Sequence, residues 1–378
     1  MPVQRRTVVL AGVAATLAAP AFRTHANTTS WLIGQSAPQT GVLAASNAET
    51  TAGARLFFNR LNARGGVHGK RIELLSIDDG QDAKRTAANT QTLLDRGVLA
   101  LGLYRTTPSI EAALPLARRA GIGFIGNQVG PSLLYDPAQT TLFNTRASYH
   151  DEVARAVRFF TQLGITRVAA LVASDAFGKD VMAGLQAAMG SAGIQLVAQA
   201  AIDNRSADVS TQVEQIRKAN PQLVILISNA RAASEFVKAS RAAGSNPTFV
   251  SLSNTSSASF VADLGKAAEG VVVTQVVPTP FSGRVRAVAE FRDAVAAAGA
   301  GAPPVSHAAL MGYLIAKFIH EAIRRAGPDV DRGGLVAAIN GARRFDLGDF
   351  ALSYSADSRH GSRLAELTVV GRDGRFMY

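Results

Sequence analysis

The run VLALGLYRTTPSIEAALPLARRAGIGFI, from Val98 to Ile125, holds the pattern on which the reading of the fold turns. Val98-Leu99-Ala100-Leu101 is a short apolar stretch without alternation, as a strand buried on both faces should be. Pro108 to Ala120 reads as a helix, with proline at the first helical position and the Arg118-Arg119 pair at its end. Gly121 follows, where a helix closes in the left-handed conformation that glycine tolerates. Ile122 to Ile125 is apolar again. Strand, helix, glycine and strand in succession make a parallel crossover unit.

The unit repeats on both sides. Lys70 to Asp78 reads as a strand and Asp82 to Arg96 as a helix. In Val153, Ala156, Val157, Phe160 and Leu163 apolar steps of three and four mark another helix, and Val168–Val172 and Val224–Ile227 are nearly all apolar. Gly65, Gly97, Gly164, Gly193 and Gly244 punctuate the chain as Gly121 does. Two series emerge, Ser30 to Thr145 and Ala147 to Gln275. A helix-rich section follows (Arg284 to Gly299, Ser306 to Gly327, Arg332 to Asn340), then strand-like Phe350–Tyr354, Leu364–Gly371 and Arg375–Tyr378. The predicted fold class is α/β, with doubly wound parallel sheets.

At 378 residues the chain suits two domains, and at 47% hydrophobic with 18% charged it has ample material for their cores. It contains no cysteine, which excludes disulfides, thiol catalysis and thiolate metal sites. Arg5-Arg6, the apolar run Val8 to Ala19 and the small residues through Ala26 describe an export signal over residues 1–26. Cleavage is expected after Ala26, with Ala21 as the alternative, and both Sec and twin-arginine export fit. The expected compartment is the periplasm. No later segment reaches about 18 uninterrupted apolar residues, so no membrane span is predicted beyond the signal. The net charge of +11 includes Arg5, Arg6 and Arg23, so about +8 remains by subtraction beyond the signal. The basic residues are scattered, their densest pairs (Arg118-Arg119, Arg324-Arg325, Arg343-Arg344) at helix ends or outer faces. A solvated basic surface is expected, with no nucleic-acid partner.

In open parallel sheets ligands collect beyond the carboxyl ends of the strands, where helix N-termini point. Here those ends carry hydroxyls and amides: Tyr104-Arg105-Thr106-Thr107 before Pro108, then Asn127-Gln128, Ser174-Asp175-Ala176-Phe177, Ser228-Asn229 and Ser251 to Asn254. Thr107 is predicted as an N-cap, and the free N–H groups after it, with Arg105 and Thr106 beside them, would suit a carboxylate. Each polar pair also has a plainer role as the cap of its own helix.

The sequence resembles a known family. Ile33 to Gln35, Thr40-Gly41, Asn59 to Lys70 and Asp78-Asp79 with Asp82 look like the opening of type 1 periplasmic binding proteins, in the Leu/Ile/Val-binding branch that serves ABC importers. Asp175-Ala176-Phe177-Gly178, Arg241 to Gly244, Ala268-Glu269-Gly270, Gly312-Tyr313 and Gly371 to Gly374 continue it. The resemblance implies two lobes joined by three crossovers, near 144–148, 275–279 and 351–355. It places residues 30–146 and 278–352 in lobe 1 and residues 147–277 and 353–378 in lobe 2. It also implies a small-molecule ligand, closure on binding, docking on a membrane permease, a monomer, and neither catalysis nor a cofactor.

Carried over by position, the family's pocket gives Thr106 and Thr107 for its hydroxyl pair, with Tyr104 and Arg105 before them. Gln128 and Gly130 stand at its next strand end, Phe177 at its second-lobe aromatic and Asn229 at a tyrosine position. Ser46 stands for its first-lobe aromatic, and Ser253 for the acid that holds an α-ammonium. A desolvated ammonium without a charged partner costs several kcal/mol. The expected ligand is therefore an aromatic or short organic acid, with Arg105 or the helix start at Thr106/Thr107 as its partner, and not a branched-chain amino acid.

A sensor feeding a signalling partner and an exported α/β enzyme are the alternatives. Against an enzyme, Gly65 to Lys70 lacks the first glycine and the Ser/Thr of a phosphate loop, and no G-x-S-x-G elbow is present. The six histidines, His25, His68, His150, His307, His320 and His360, form no metal-ligand spacing.

Overall fold

The computed structural model describes Met1 and residues 30–206 and 208–378; the expected export signal lies outside this range. The first lobe opens with β1 (Ser30–Ala37), α1 (Ala44–Asn62), β2 (Arg71–Asp78), α2 (Ala83–Asp95), β3 (Ala100–Gly102), α3 (Thr107–Arg119), β4 (Gly123–Ile125) and β5 (Leu142–Phe143). The second lobe follows with α4 (Tyr149–Gln162), β6 (Val168–Ala173), α5 (Ala176–Ser191), β7 (Leu196–Ile202) and α6 (Ser210–Lys218). It continues through β8 (Leu223–Ile227), α7 (Ala230–Ala242), β9 (Thr248–Ser251), α8 (Ala258–Leu264) and β10 (Val272–Gln275). The chain then returns through α9 (Arg286–Ala298), α10 (His307–Ala326), α11 (Arg332–Ala342) and the hairpin β11 (Arg344–Asp346) and β12 (Ala351–Ser353). It ends in β13 (Glu366–Val370) and β14 (Phe376–Met377).

The first sheet is parallel throughout, in the order β2-β1-β3-β4-β5. The second runs β14-β13-β10-β9-β8-β6-β7, with its last two strands in sequence antiparallel. Helices cover both faces of each sheet. One core joins β1 and β3 to α1, α9, α10, α11 and the hairpin. A second runs from beneath the first sheet, past α3 and α5, to the near face of the second sheet. A third lies on that sheet's far face under α6, α7 and α8.

The returning helices and the hairpin pack on the first sheet, and Tyr354 belongs to the same core. The third passage between lobes therefore follows Tyr354, within the expected stretch 351–355, but the lobe boundary expected between residues 352 and 353 moves two residues on, because Ser353 is still paired with Arg344. It runs beside the first passage. The Asn144 carbonyl accepts from Gly361 N–H at 3.0 Å and from the Tyr354 hydroxyl at 2.8 Å.

The acids of Asp78-Asp79…Asp82 set the loops on which the cleft is built. Asp78 accepts from the N–H groups of Gln39 and Gly80. Asp79, fully buried, accepts from Gln81 N–H, Thr86 and Ser36. Asp82 caps α2 through Lys84 and Arg85 N–H. The basic pairs named above are exposed and sit at or just beyond helix C-termini, where cations suit the dipole. No described helix is long and apolar enough to cross a membrane.

Candidate functional site

The starts of α3, α5 and α7 face one cavity of about 420 Å³ between the lobes. Each start is capped by its own side chain. Thr106 Oγ1 accepts from Ser109 N–H at 3.2 Å, Asp175 from Gly178 N–H at 3.1 Å, and Asn229 from Ala232 N–H at 2.9 Å. The α3 cap is thus Thr106, one residue before the sequence-based position at Thr107. Thr106 keeps an extended backbone, and a proline lacking N–H fits the second helical position as well as the first, since both N–H groups are orphans there.

Arg105, Thr106 and Thr107 from the first lobe, with Phe177 and Asn229 from the second, lie on the cavity wall. Asn229 contributes position more than polarity, because its Oδ1 caps α7 and its Nδ2 donates to Asn204 O at 2.6 Å. Leu43, Pro108, Val129 and Tyr149 supply apolar surface, with Tyr149 edge-to-face on Phe177 at 5.0 Å. Asp175, Asp203 and Arg205 also border the cavity and are exposed.

The other expected residues do not line it. Tyr104 turns to the opposite side, packs edge-to-face on Phe124 and shares a 2.9 Å hydrogen bond with Thr90. The cause is backbone geometry: Leu103 sits at φ 60°, a left-handed conformation rare for an apolar residue. Its carbonyl is clamped by the amides of Gln35 and Gln128 at 3.0 and 2.8 Å. Gln128 is therefore spent on holding this turn, which sends Tyr104 inward and Arg105 toward the cleft. Gly130 packs against the first crossover, where an added Cβ would stand 2.9 Å from Ala147 O. Ser46 reaches the site only through Arg105, whose Nη2 donates to its Oγ at 2.9 Å.

Ser253 is committed elsewhere. Its N–H and Oγ donate to Glu152 at 2.8 and 2.9 Å, and its Oγ accepts from Arg146 Nη2 at 2.8 Å. Arg146 and Glu152 form a fully buried ion pair, which Thr274 also joins through Glu152. Burial alone would lower the Arg146 pKa; Glu152, with Tyr149 and Tyr135, outweighs it and holds the guanidinium above its ordinary range. The carboxylate beside Ser253 is thus already neutralised.

Arg105 is 5% exposed, and no carboxylate lies within 4.0 Å of it among the described residues. Its Nη2 also donates to Asn254 O at 2.9 Å, bridging the lobes. Burial pulls its pKa below the ordinary value, yet guanidinium stays charged in proteins. Three wall residues carry a buried polar atom without a hydrogen-bond partner: Thr107 Oγ1, Tyr149 OH and Asn254 Oδ1. Asn254 and Tyr149 escaped the sequence reading as site residues. Asn254 lay in a flagged strand end, whereas nothing in the periodicity of α4 marks its first residue. No group of three or more metal-ligating side chains occurs among the described residues.

The family model for periplasmic binding proteins matches residues 30–375. A Leu/Ile/Val-binding protein homologue of Brucella melitensis is 20% identical over 324 residues, 85% of this chain and 86% of that one. The Leu/Ile/Val/Thr-binding protein of Salmonella typhimurium is 22% identical over 224 residues, covering 59% of this chain and 61% of its own length, so that match spans under two thirds of the relative. A substrate-binding periplasmic protein of Ralstonia solanacearum superimposes with TM-score 0.86 at 29% identity, over 92% of this chain and 99% of that one. These are binding proteins and not enzymes. The chain belongs to the periplasmic binding protein family, in its type 1, Leu/Ile/Val-binding-protein-like branch.

Proposed function

We propose that this protein is the extracytoplasmic receptor of an ABC importer, that it captures a small organic anion between its lobes, and that the closed form delivers it to a membrane permease. The observation that carries the anion is Arg105. A buried cation with no carboxylate in direct contact is costly, and a ligand carboxylate offsets that cost. The hydroxyls of Thr107 and Tyr149, which have no partner among the described residues, supply further donors. Apolar walls from Leu43, Pro108, Val129 and Phe177 suit an aromatic or branched acid. Among the described residues the carboxylates bordering the cavity are Asp175 and Asp203, both exposed. Asp175 is occupied as the α5 cap, so an α-ammonium finds no buried acid.

Isothermal titration with a panel of aromatic and short-chain acids tests this. Micromolar binding is expected for at least one acid, about −8 kcal/mol, and Arg105→Met should weaken it roughly tenfold to a hundredfold. Micromolar leucine binding, or acid affinity indifferent to Arg105→Met, would overturn the proposal.

A further inference from the structure

We infer that the ligand carries a hydrogen-bond donor next to its carboxylate, as a 2-hydroxy acid does, and that Asn254 Oδ1 receives it. This rests on Arg105 as the anion's partner. The orientation of the Asn254 amide is fixed by its neighbour. Nδ2 donates to Ser228 O at 3.0 Å, and a carbonyl can only accept, so the nitrogen must face it and Oδ1 must point away. That oxygen is buried and has no partner among the described residues.

The other two orphan atoms on the wall, Thr107 Oγ1 and Tyr149 OH, are hydroxyls, and each can donate to an anion. An amide oxygen cannot. A carboxylate set against it would be repelled, so what it lacks is a donor. The backbone oxygen of the same residue holds Arg105 Nη2. The oxygen that holds the guanidinium and the orphan oxygen thus belong to one residue, which places the donor we infer near the carboxylate on the ligand's skeleton.

An ammonium is also a donor, but it would bring a second positive charge beside Arg105, where the amide that meets it is neutral and the wall carboxylates, Asp175 and Asp203, are exposed. A hydroxyl satisfies Oδ1 without that charge. Asn254 thus discriminates at the carbon next to the carboxylate, while the apolar wall accommodates the rest.

Titration with two matched sets separates the claims. One set is 2-hydroxy-3-phenylpropanoate, 3-phenylpropanoate and phenylalanine; the other is 2-hydroxy-4-methylpentanoate, 4-methylpentanoate and leucine. In at least one set the hydroxy acid should bind best, with the deoxy acid weaker by about tenfold to a hundredfold and the amino acid weakest. Asn254→Leu should bring the hydroxy and deoxy acids to within about twofold while the acid still binds. The wild-type series decides the question even if that variant does not fold. Equal affinities for hydroxy and deoxy acids would overturn this inference and leave the anion reading standing. An amino acid as the tightest ligand, or no binding by any acid, would overturn both.

Discussion

Single side chains decide what the cleft can hold, and the ion pair beside it shows how. Arg146 spends its guanidinium on Glu152, Ser253 Oγ, Ala147 O and Gln128 O, and its Cζ lies 4.8 Å from the centre of the Tyr149 ring. The pair links the first crossover to α4, β10 and the turn at Ser253–Thr255. Glu152→Gln would leave a fully buried guanidinium without an anion, a change that costs about 3–5 kcal/mol. Chemical denaturation should show that loss, and the double variant Arg146→Met/Glu152→Leu should recover much of it. A loss below about 1 kcal/mol would mean that the carboxylate is dispensable. The same network explains why the site was only partly legible in the sequence. Arg105, Thr107 and Phe177 were found because strand ends and helix starts are marked by residue type. Ser253 and Gln128 carry equally polar side chains at equally good positions, but hydrogen bonds to residues 101 and 25 positions away take them out of the cleft. Nothing local records such a partner.

Among the elements, the crossing of α1 and α10 sets the tightest geometry. An added Cβ at Gly53 would stand 1.9 Å from Ala309 O, and one at Gly312 would stand 1.8 Å from Thr50 O. Both clashes are with backbone, so no rotamer change relieves them, and the helices must separate. Gly312→Ala should therefore destabilise by roughly 1–3 kcal/mol or more, although alanine is the better helix former. A melting temperature unchanged or raised would show that the crossing can spread without loss. At this scale the sequence was informative. The buried strands are apolar without alternation, and Gly97 and Gly121 close α2 and α3 at φ 73° and 58° as expected of helix ends. What it concealed were elements too short to carry a period: β5 is two residues long, and β11 has one buried residue among three. The lobe boundary at the third passage falls two residues beyond its expected place for this reason, since pairing with β11 keeps Ser353 in the first lobe.

Across the whole molecule, the lobes meet at the cleft through contacts that no ligand makes. Glu49 in α1 accepts from the N–H groups of Ala258 and Ser259 opening α8, at 3.0 and 2.9 Å, and from Ser306 Oγ at 2.9 Å. On the other side Asp180 in α5 accepts from Ser132 N–H at 3.1 and 3.2 Å. Its pKa is lowered because His150 and Ser132 outweigh its burial. Arg105 reaches Asn254 O between them. These bonds hold the lobes in the arrangement seen here, and in the proposed closing of the cleft they would leave a ligand only the remainder of the closing energy to supply. Weakening one should therefore reduce affinity without touching the ligand. Glu49→Gln keeps the shape of the side chain but removes the charge from two helix-start N–H groups, a loss of about 1–2 kcal/mol in the closed state alone. Ligand-free scattering should then report a larger radius of gyration than the wild type, and scattering at saturation the same one. Affinity should fall by roughly fivefold to thirtyfold, the factor set by that energy. If both radius and affinity stay as in the wild type, Glu49 does not bias closure, and the energy of closing comes from the ligand and the crossovers alone.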